Sequence, residues 1–255
     1  MSGKAMPEPN VDSPAASCAM SGGMSGPHID VVIPTLNAAA ELGAVLESLG
    51  EGRDAGLIGA VVVADGGSSD ATPALAEGWG ARLIEAPRGR GPQLAAGAAA
   101  AEAEAPWLLF LHGDTRLAPG WAAAVRAFID EAGNENRAAV FRLAFDEDAP
   151  PARRVARLAN WRARRLGLPY GDQGLLIAAS FYRRLGGFRP LPLMEDVDLV
   201  RRIGRRRLVH LEALAITSAA RYRHGGWWRR PARNLMVLAL YLLGVPPGAL
   251  KRLYR

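Results

Sequence analysis

Carboxylates in this 255-residue chain recur where an apolar run gives way to polar residues. Leu108-Leu109-Phe110-Leu111 leads directly into His112-Gly113-Asp114, Val61-Val62-Val63-Ala64 into Asp65-Gly66-Gly67-Ser68-Ser69-Asp70, and Leu193-Met194 into Glu195-Asp196-Val197-Asp198. An acid at the end of a central strand can hold a divalent cation against a diphosphate, because Mg²⁺ and Mn²⁺ prefer oxygen ligands. It can equally cap whatever follows the strand, and for Asp114 both readings fit. Three acids within four residues at a helix start complement the helix dipole. Crowded carboxylates also raise one another's pKa, which suits one of them to act as a general base. Gly113 gives the chain the freedom to turn sharply as it leaves the strand.

These groups work together only if the elements bearing them converge. Runs at 29–35, 58–64, 82–85 and 108–115 read as strands, the first and last of them buried and the third short. Between them lie helical patterns at 39–49, 72–77 and 93–104, the first with Leu42, Val45, Leu46 and Leu49 on one stripe and the second opened by Thr72-Pro73. Strand alternating with helix predicts an α/β fold with a doubly wound, mostly parallel central sheet flanked by helices. In such a sheet the carboxyl ends of the strands share one rim, so Pro34–Asn37, Asp65–Asp70 and His112–Thr115 become neighbours. Further on, a helix at 120–132, a strand at 138–145, an arginine-rich helix at 152–166 with a solvated basic face, a strand at 175–179 and a short helix at 181–185 precede a helix that runs from the acid cluster to about Arg206. The expected organisation is a disordered leader (1–28), a catalytic domain (29–231) and a C-terminal apolar helix with a basic tail (232–255). The domain divides into a nucleotide-binding half (29–119) and an acceptor half (120–231).

Composition narrows the classes. Hydrophobic content of 49% and charged content of 22% belong to a globular protein with a sizeable core. The one cysteine, Cys18, excludes an internal disulfide and a cysteine zinc cluster, and fits the cytoplasm. The charge of +6 comes almost wholly from arginine, with Lys4 and Lys251 the two lysines, and no nucleic-acid partner is expected. The apolar stretch within 232–245 is too short to span a bilayer. It reads as a buried core helix. Flanked by Trp227, Trp228, Arg229, Arg230, Lys251 and Arg252, it also suits an in-plane helix, making residues 227–255 a candidate for peripheral contact at the inner membrane face.

Taken in order, Val32-Ile33-Pro34-Thr35-Leu36-Asn37, Val63-Ala64-Asp65-Gly66-Gly67-Ser68-Ser69-Asp70, His112-Gly113-Asp114 and Glu195-Asp196-Val197-Asp198-Leu199 resemble the family 2 glycosyltransferases. Within them the chain is most similar to a small bacterial branch often encoded near radical-SAM and selenium-related genes. The resemblance implies a GT-A-type fold and inverting, metal-assisted transfer of a sugar from a nucleotide diphosphate, UDP-sugar by family habit, to a hydroxyl acceptor. It implies that Pro34, Thr35, Asn37, Asp65 and Asp70 contact the nucleotide, with His112 and Gly113 beside it. Arg90 would reach phosphate and Gln93 the donor, from a Gly89–Gln93 loop like that of the branch. Asp114 would bind Mn²⁺ or Mg²⁺, Asp196 would act as base with Glu195 beside it, and His224 would stand where some GT-A enzymes carry a metal-binding histidine. The chain departs from the family in placing His112 where the first acid of the DxD motif stands, and Gly66 where many members have a second aspartate. It also lacks a QxxRW motif. Two rival readings are a nucleotidyltransferase and a non-catalytic nucleotide-binding protein on a transferase fold.

Overall fold

The computed structural model describes residue 1 and residues 29–101 and 105–254. The leader and the expected last turn of the helix to Glu104 lie outside the described residues. In chain order the elements are β1 (Ile29–Thr35), α1 (Ala39–Ser48), α2 (Gly50–Asp54), β2 (Ile58–Asp65), α3 (Thr72–Trp79), β3 (Arg82–Glu85), α4 (Arg90–Ala101) and β4 (Trp107–Phe110). They continue with β5 (Thr115–Leu117), α5 (Trp121–Asp130), β6 (Ala138–Phe145), α6 (Pro150–Leu166), β7 (Leu175–Ala178), α7 (Ala179–Arg184), α8 (Glu195–Ile203), β8 (Leu208–Thr217), α9 (Ala220–Gly225), α10 (Arg229–Leu242) and α11 (Pro247–Tyr254).

One sheet runs in the order β3-β2-β1-β4-β7-β6-β8-β5 among the described residues. Its first half is parallel, β1 pairing with β2 and β4 and β2 with β3, as the alternation of strand and helix predicts. β1 is buried along its whole length because helices cover both faces. Its one inward acid, Asp30, is satisfied by the Ala60 amide at 2.7 Å. α4 lies close over this strand at Gly97, where any Cβ would collide with Val32. β7 enters antiparallel between β4 and β6, and β6 pairs parallel with β8.

Three expectations change. The strand expected over 108–115 ends at Phe110, and residues 111–114 form the turn; Thr115–Leu117 is a separate strand, antiparallel to β8. β8 itself has no counterpart in the sequence reading, since its polar and apolar residues alternate only irregularly between Leu208 and Thr217. The helix from the acid cluster stops at Ile203, where Gly204 takes a positive φ of 84°, rather than near Arg206. The C-terminal apolar helix is not a buried core helix. α10 buries Val237 and Leu238 in a small second core with Met194, Val197 and Leu250, and leaves Leu235, Met236 and Leu242 exposed. Among the described residues, no helix is long and apolar enough to cross a membrane.

Candidate active site

The first strand exits are locked to one another. Asp65 is buried, and its Oδ1 accepts the hydroxyls of Thr35 at 2.9 Å and Ser68 at 2.5 Å, while Oδ2 accepts the amides of Gly67 and Ser68 at 3.0 and 2.7 Å. Burial pushes this carboxyl up, but the four hydrogen bonds outweigh it and hold the pKa below the ordinary value. Asn37, at a positive φ of 50°, accepts the Ser69 amide at 2.9 Å and donates its own amide to the Ser68 hydroxyl at 2.8 Å. Asp70 receives the Ala39 amide at 3.0 Å and the Thr72 hydroxyl at 2.5 Å, and Thr72 in turn receives the Ala38 amide at 2.8 Å. Amides that the start of α1 leaves without a helical partner are thus capped from the neighbouring loop. Gln93 is buried and donates to the carbonyls of Thr35 and Ala64 at 2.6 and 2.8 Å, while its oxygen accepts the Gly89 amide at 3.2 Å. Asp65, Asp70 and Gln93 therefore brace the loops, and Gln93 also lines the cleft beside them.

In front of these braces lies an open cleft of about 1410 Å³, lined by Pro34, Thr35, Asn37, Arg90, Gly113 and Asp114 among others. It adjoins a second cavity through shared walls formed by Arg90, His112, Asp114 and Arg221. Asp114 sits at the junction, its side chain 17% exposed, and its Oδ2 lies 3.2 Å from the guanidinium of Arg221. Burial alone would raise its carboxyl; the adjacent His112 and the guanidiniums of Arg221 and Arg90 reverse this and hold it below the usual range. Desolvation and the nearby Arg90 push the His112 imidazole down to about 3, so it is neutral at physiological pH. Arg221 reaches Asp114 because β8 returns beside β5: the Ser218 amide donates to the Asp114 carbonyl at 3.1 Å, and the Thr217 and Thr115 hydroxyls meet at 3.2 Å.

The second cavity also carries Asp172, Glu195 and Asp196. Gly171 joins the two sides. Its amide donates to the Asp196 carboxylate at 2.9 Å, and the imidazole of His112 occupies the space where a side chain at Gly171 would stand. Glu195 is only 3% exposed; burial and the adjacent Asp196 push its carboxyl up to about 7. Burial, with Asp196 and Asp114 nearby, raises Asp172 to about 6 against the pull of Arg162. Just before them Met194 takes a positive φ of 65°, a conformation bulky side chains rarely adopt, held by its packing against Val197, Val237 and Leu238. Asp198 differs from its neighbours: it is paired with Arg202 at 2.5 Å and Arg189 at 3.1 Å, and serves the fold.

The profile of glycosyl transferase family 2 matches residues 30–186, more than half of the sequence. The chain belongs to that family. Solved structures share the fold at low identity. A glucosyl-3-phosphoglycerate synthase from Mycobacterium tuberculosis, in complex with Mn²⁺, UDP and glucosyl-3-phosphoglycerate, is 20% identical with a TM-score of 0.56, over 87% of this chain and 81% of that one. S. aureus TarS 1-349 in complex with UDP-GlcNAc is 17% identical with a TM-score of 0.56, over 75% of this chain and 58% of the other. The mannosyl-3-phosphoglycerate synthase of Rubrobacter xylanophilus is 17% identical with a TM-score of 0.50, over 75% and 65%. No curated protein sequence matches significantly.

In this transferase, Asp114 and Asp196 share a cavity although 82 positions separate them in the chain, by subtraction of their numbers. Asp65, by contrast, is not among the residues lining either cavity and lies behind them as a brace. Of His224 the structure places the backbone, in α9, three residues after Arg221. Sequence reasoning missed Arg221 and Asp172. Arg221 belongs to the basic run from Arg221 to Arg230, where it stood out from its neighbours by nothing in the sequence. Asp172 sits in Gly171-Asp172-Gln173-Gly174, a glycine-flanked acid of the same kind as Asp65 and Asp114, and that likeness was the available signal.

Proposed function

We propose that this family 2 transferase moves a sugar from a nucleotide diphosphate, UDP foremost, to a hydroxyl acceptor with inversion at the anomeric carbon. The observation that carries the reading is the shared cavity: a cation-ready carboxylate flanked by two guanidiniums opens into the space that holds Asp196 and Glu195. Pro34, Thr35 and Asn37 line the wider cleft and would lie against the nucleotide. Asp65 and Gln93 act through the loops they brace, and Asp70 acts through the helix start it caps. Likeness to proteins crystallised with UDP or UDP-GlcNAc supports the choice of donor. The Gly89–Gln93 loop supports the small bacterial branch named above.

Among the described residues, no three His, Cys, Asp or Glu side chains gather to hold a metal ion. One carboxylate is nevertheless a fit for Mg²⁺ or Mn²⁺ when a diphosphate supplies the remaining oxygens, as these ions are commonly bound. Asp114 would hold such an ion, which, when bound, neutralises charge on the diphosphate. Arg90 and Arg221 would flank the same group and stabilise the negative charge that grows as the bond from sugar to diphosphate breaks. As the acceptor oxygen bonds to the anomeric carbon, its proton passes to the Asp196 carboxylate, and the electron pair of the broken bond leaves with the nucleoside diphosphate. The Gly171 amide orients Asp196 for this role.

Incubation of the purified protein with a panel of nucleotide sugars and Mn²⁺ tests the assignment. Release of nucleoside diphosphate is expected. Release of pyrophosphate would indicate a nucleotidyltransferase. Metal-indifferent nucleotide binding without any turnover would indicate a non-catalytic binding protein.

A further inference from the structure

Beside the catalytic cavity lies a third space between α6 and α10. Val155, Leu158, Ala159 and Leu166 line it from α6, and Leu235 and Leu238 from α10. The two spaces adjoin, and Tyr170, Asp172, Tyr222 and Asn234 line both. Packed protein interiors leave few voids larger than a water molecule, and a predominantly apolar cavity with a few convergent polar groups is the usual form of a small-molecule site. Its rim is apolar too: Leu158, Trp161 and Leu166 are each about half exposed. At the inner end the polar groups are few and placed. The Arg162 guanidinium stacks on the Tyr170 ring at 3.4 Å, and the Oδ1 of Asp172 is buried with no hydrogen-bond partner among the described residues. A buried acceptor atom left in this way costs free energy unless a ligand donates to it.

We infer that this space is the acceptor subsite, and that the acceptor is an amphiphilic alcohol whose apolar body lies between α6 and α10 while its hydroxyl end is held at Asp172. The inference rests on the transferase reading and adds the class of acceptor to it. That Asp172 also lines the cavity of Asp196 is what distinguishes the space from a surface for a protein partner: an alkyl or isoprenoid chain lying in it ends beside that cavity. The raised carboxyl of Asp172 agrees with the assignment, since near neutral pH it exchanges between donating to and accepting from a hydroxyl. Residue types point the same way. A polyol or sugar acceptor would call for hydrogen-bonding side chains along the wall, and α6 and α10 supply mainly leucine, valine and alanine there.

Bromodecanol is a suitable probe, because its bromine quenches tryptophan fluorescence and Trp161 lines the space. Saturable quenching is expected, and Leu235→Glu, at a partly exposed position that tolerates charge without unfolding, should weaken it about tenfold or more by placing a carboxylate in the apolar wall. The wild-type protein should bind bromodecanol several-fold more tightly than bromodecane, and Asp172→Ala should abolish that preference, which a purely structural role for Asp172 would not do. A UDP titration of each variant in parallel reports on the donor side. UDP binding without saturable quenching, or quenching unaffected by Leu235→Glu, would overturn the acceptor inference and leave the transferase reading standing; loss of UDP binding in the wild-type protein would instead count against the transferase reading. Brominated phospholipid vesicles supply a last arm. Quenching by vesicles alone, lost equally in Leu235→Glu, would show that this face rests on a bilayer and would overturn the subsite, whereas quenching by the free alcohol alone supports it.

Discussion

Asp65 and Glu195 are both buried acids at a boundary between an apolar and a polar stretch, and the fold treats them oppositely. Asp65 is surrounded by donors from its own loop and from β1, so its charged form is favoured and its pKa falls. Glu195 is buried beside a second carboxylate, so its neutral form is favoured and its pKa rises to about 7. The same contrast separates the two halves of the site. Around the first two strand exits polar groups are spent on bracing: Asp65, Asp70, Asn37 and Gln93 each hold one strand exit or helix start to another. The later segments bring acids together without enough partners, and leave Asp172 with an unsatisfied oxygen. Satisfied carboxylates stabilise a frame; crowded ones store the reactivity that the frame positions.

Substitution of one residue from each side should break this contrast in different ways. The largest effect is expected for Asp196→Asn, which should lower turnover by roughly 10²–10⁴-fold while UDP affinity, by calorimetry, stays nearly unchanged. Retained turnover would move the base to Glu195. Next, Asp114→Ala should remove the Mn²⁺ dependence of UDP binding, and Arg221→Ala should weaken UDP on the order of tenfold through a lost charge-assisted contact. Equal metal dependence in wild type and Asp114→Ala would remove Asp114 as the metal ligand. Asp65→Asn should destabilise the protein by about 2 kcal/mol in urea unfolding, because an amide nitrogen cannot accept what one carboxylate oxygen now accepts.

The smallest effect is the most telling, since it reverses sign between the two acids. For Glu195 the folded protein holds its proton more tightly than the unfolded chain, so stability falls as pH rises from about 4.5 to about 7. Glu195→Gln should flatten this limb. For Asp65, with its pKa depressed, stability is present above about 3.8 and is lost as pH falls through the lower folded value. Asp65→Asn should shrink that acid limb and leave the neutral limb alone. Unfolding curves across pH that show parallel responses in the two variants would refute the contrast.

Much of the fold was legible from residue order. β1, β3 and β6 fall at the limits expected, because short runs rich in apolar residues between polar or turn-forming residues specify strands locally. Asp114 and Asp196, which line one cavity, were legible as candidate site residues because an acid directly after an apolar strand, or at a helix start, carries its context with it. Arg162 shows where such reasoning ends: it sits among the arginines of a helix face expected to be solvated, yet it is buried against Tyr170. The sequence of β8 carries no clean alternation, and its place in the sheet is set by pairing with β6 and β5, elements roughly 70 and 100 residues earlier.

What the sequence determined, then, was which groups are chemically able and at which element ends they stand, since propensity and hydrophobic period act over a few residues. Only the tertiary structure decided which acids are spent on bracing and which are left crowded. It also decided that Arg221 reaches Asp114, and that α6 and α10 leave an apolar space opening on Asp172. Charge, burial and hydrogen-bond satisfaction depend on neighbours brought from far along the chain, and no local pattern encodes them.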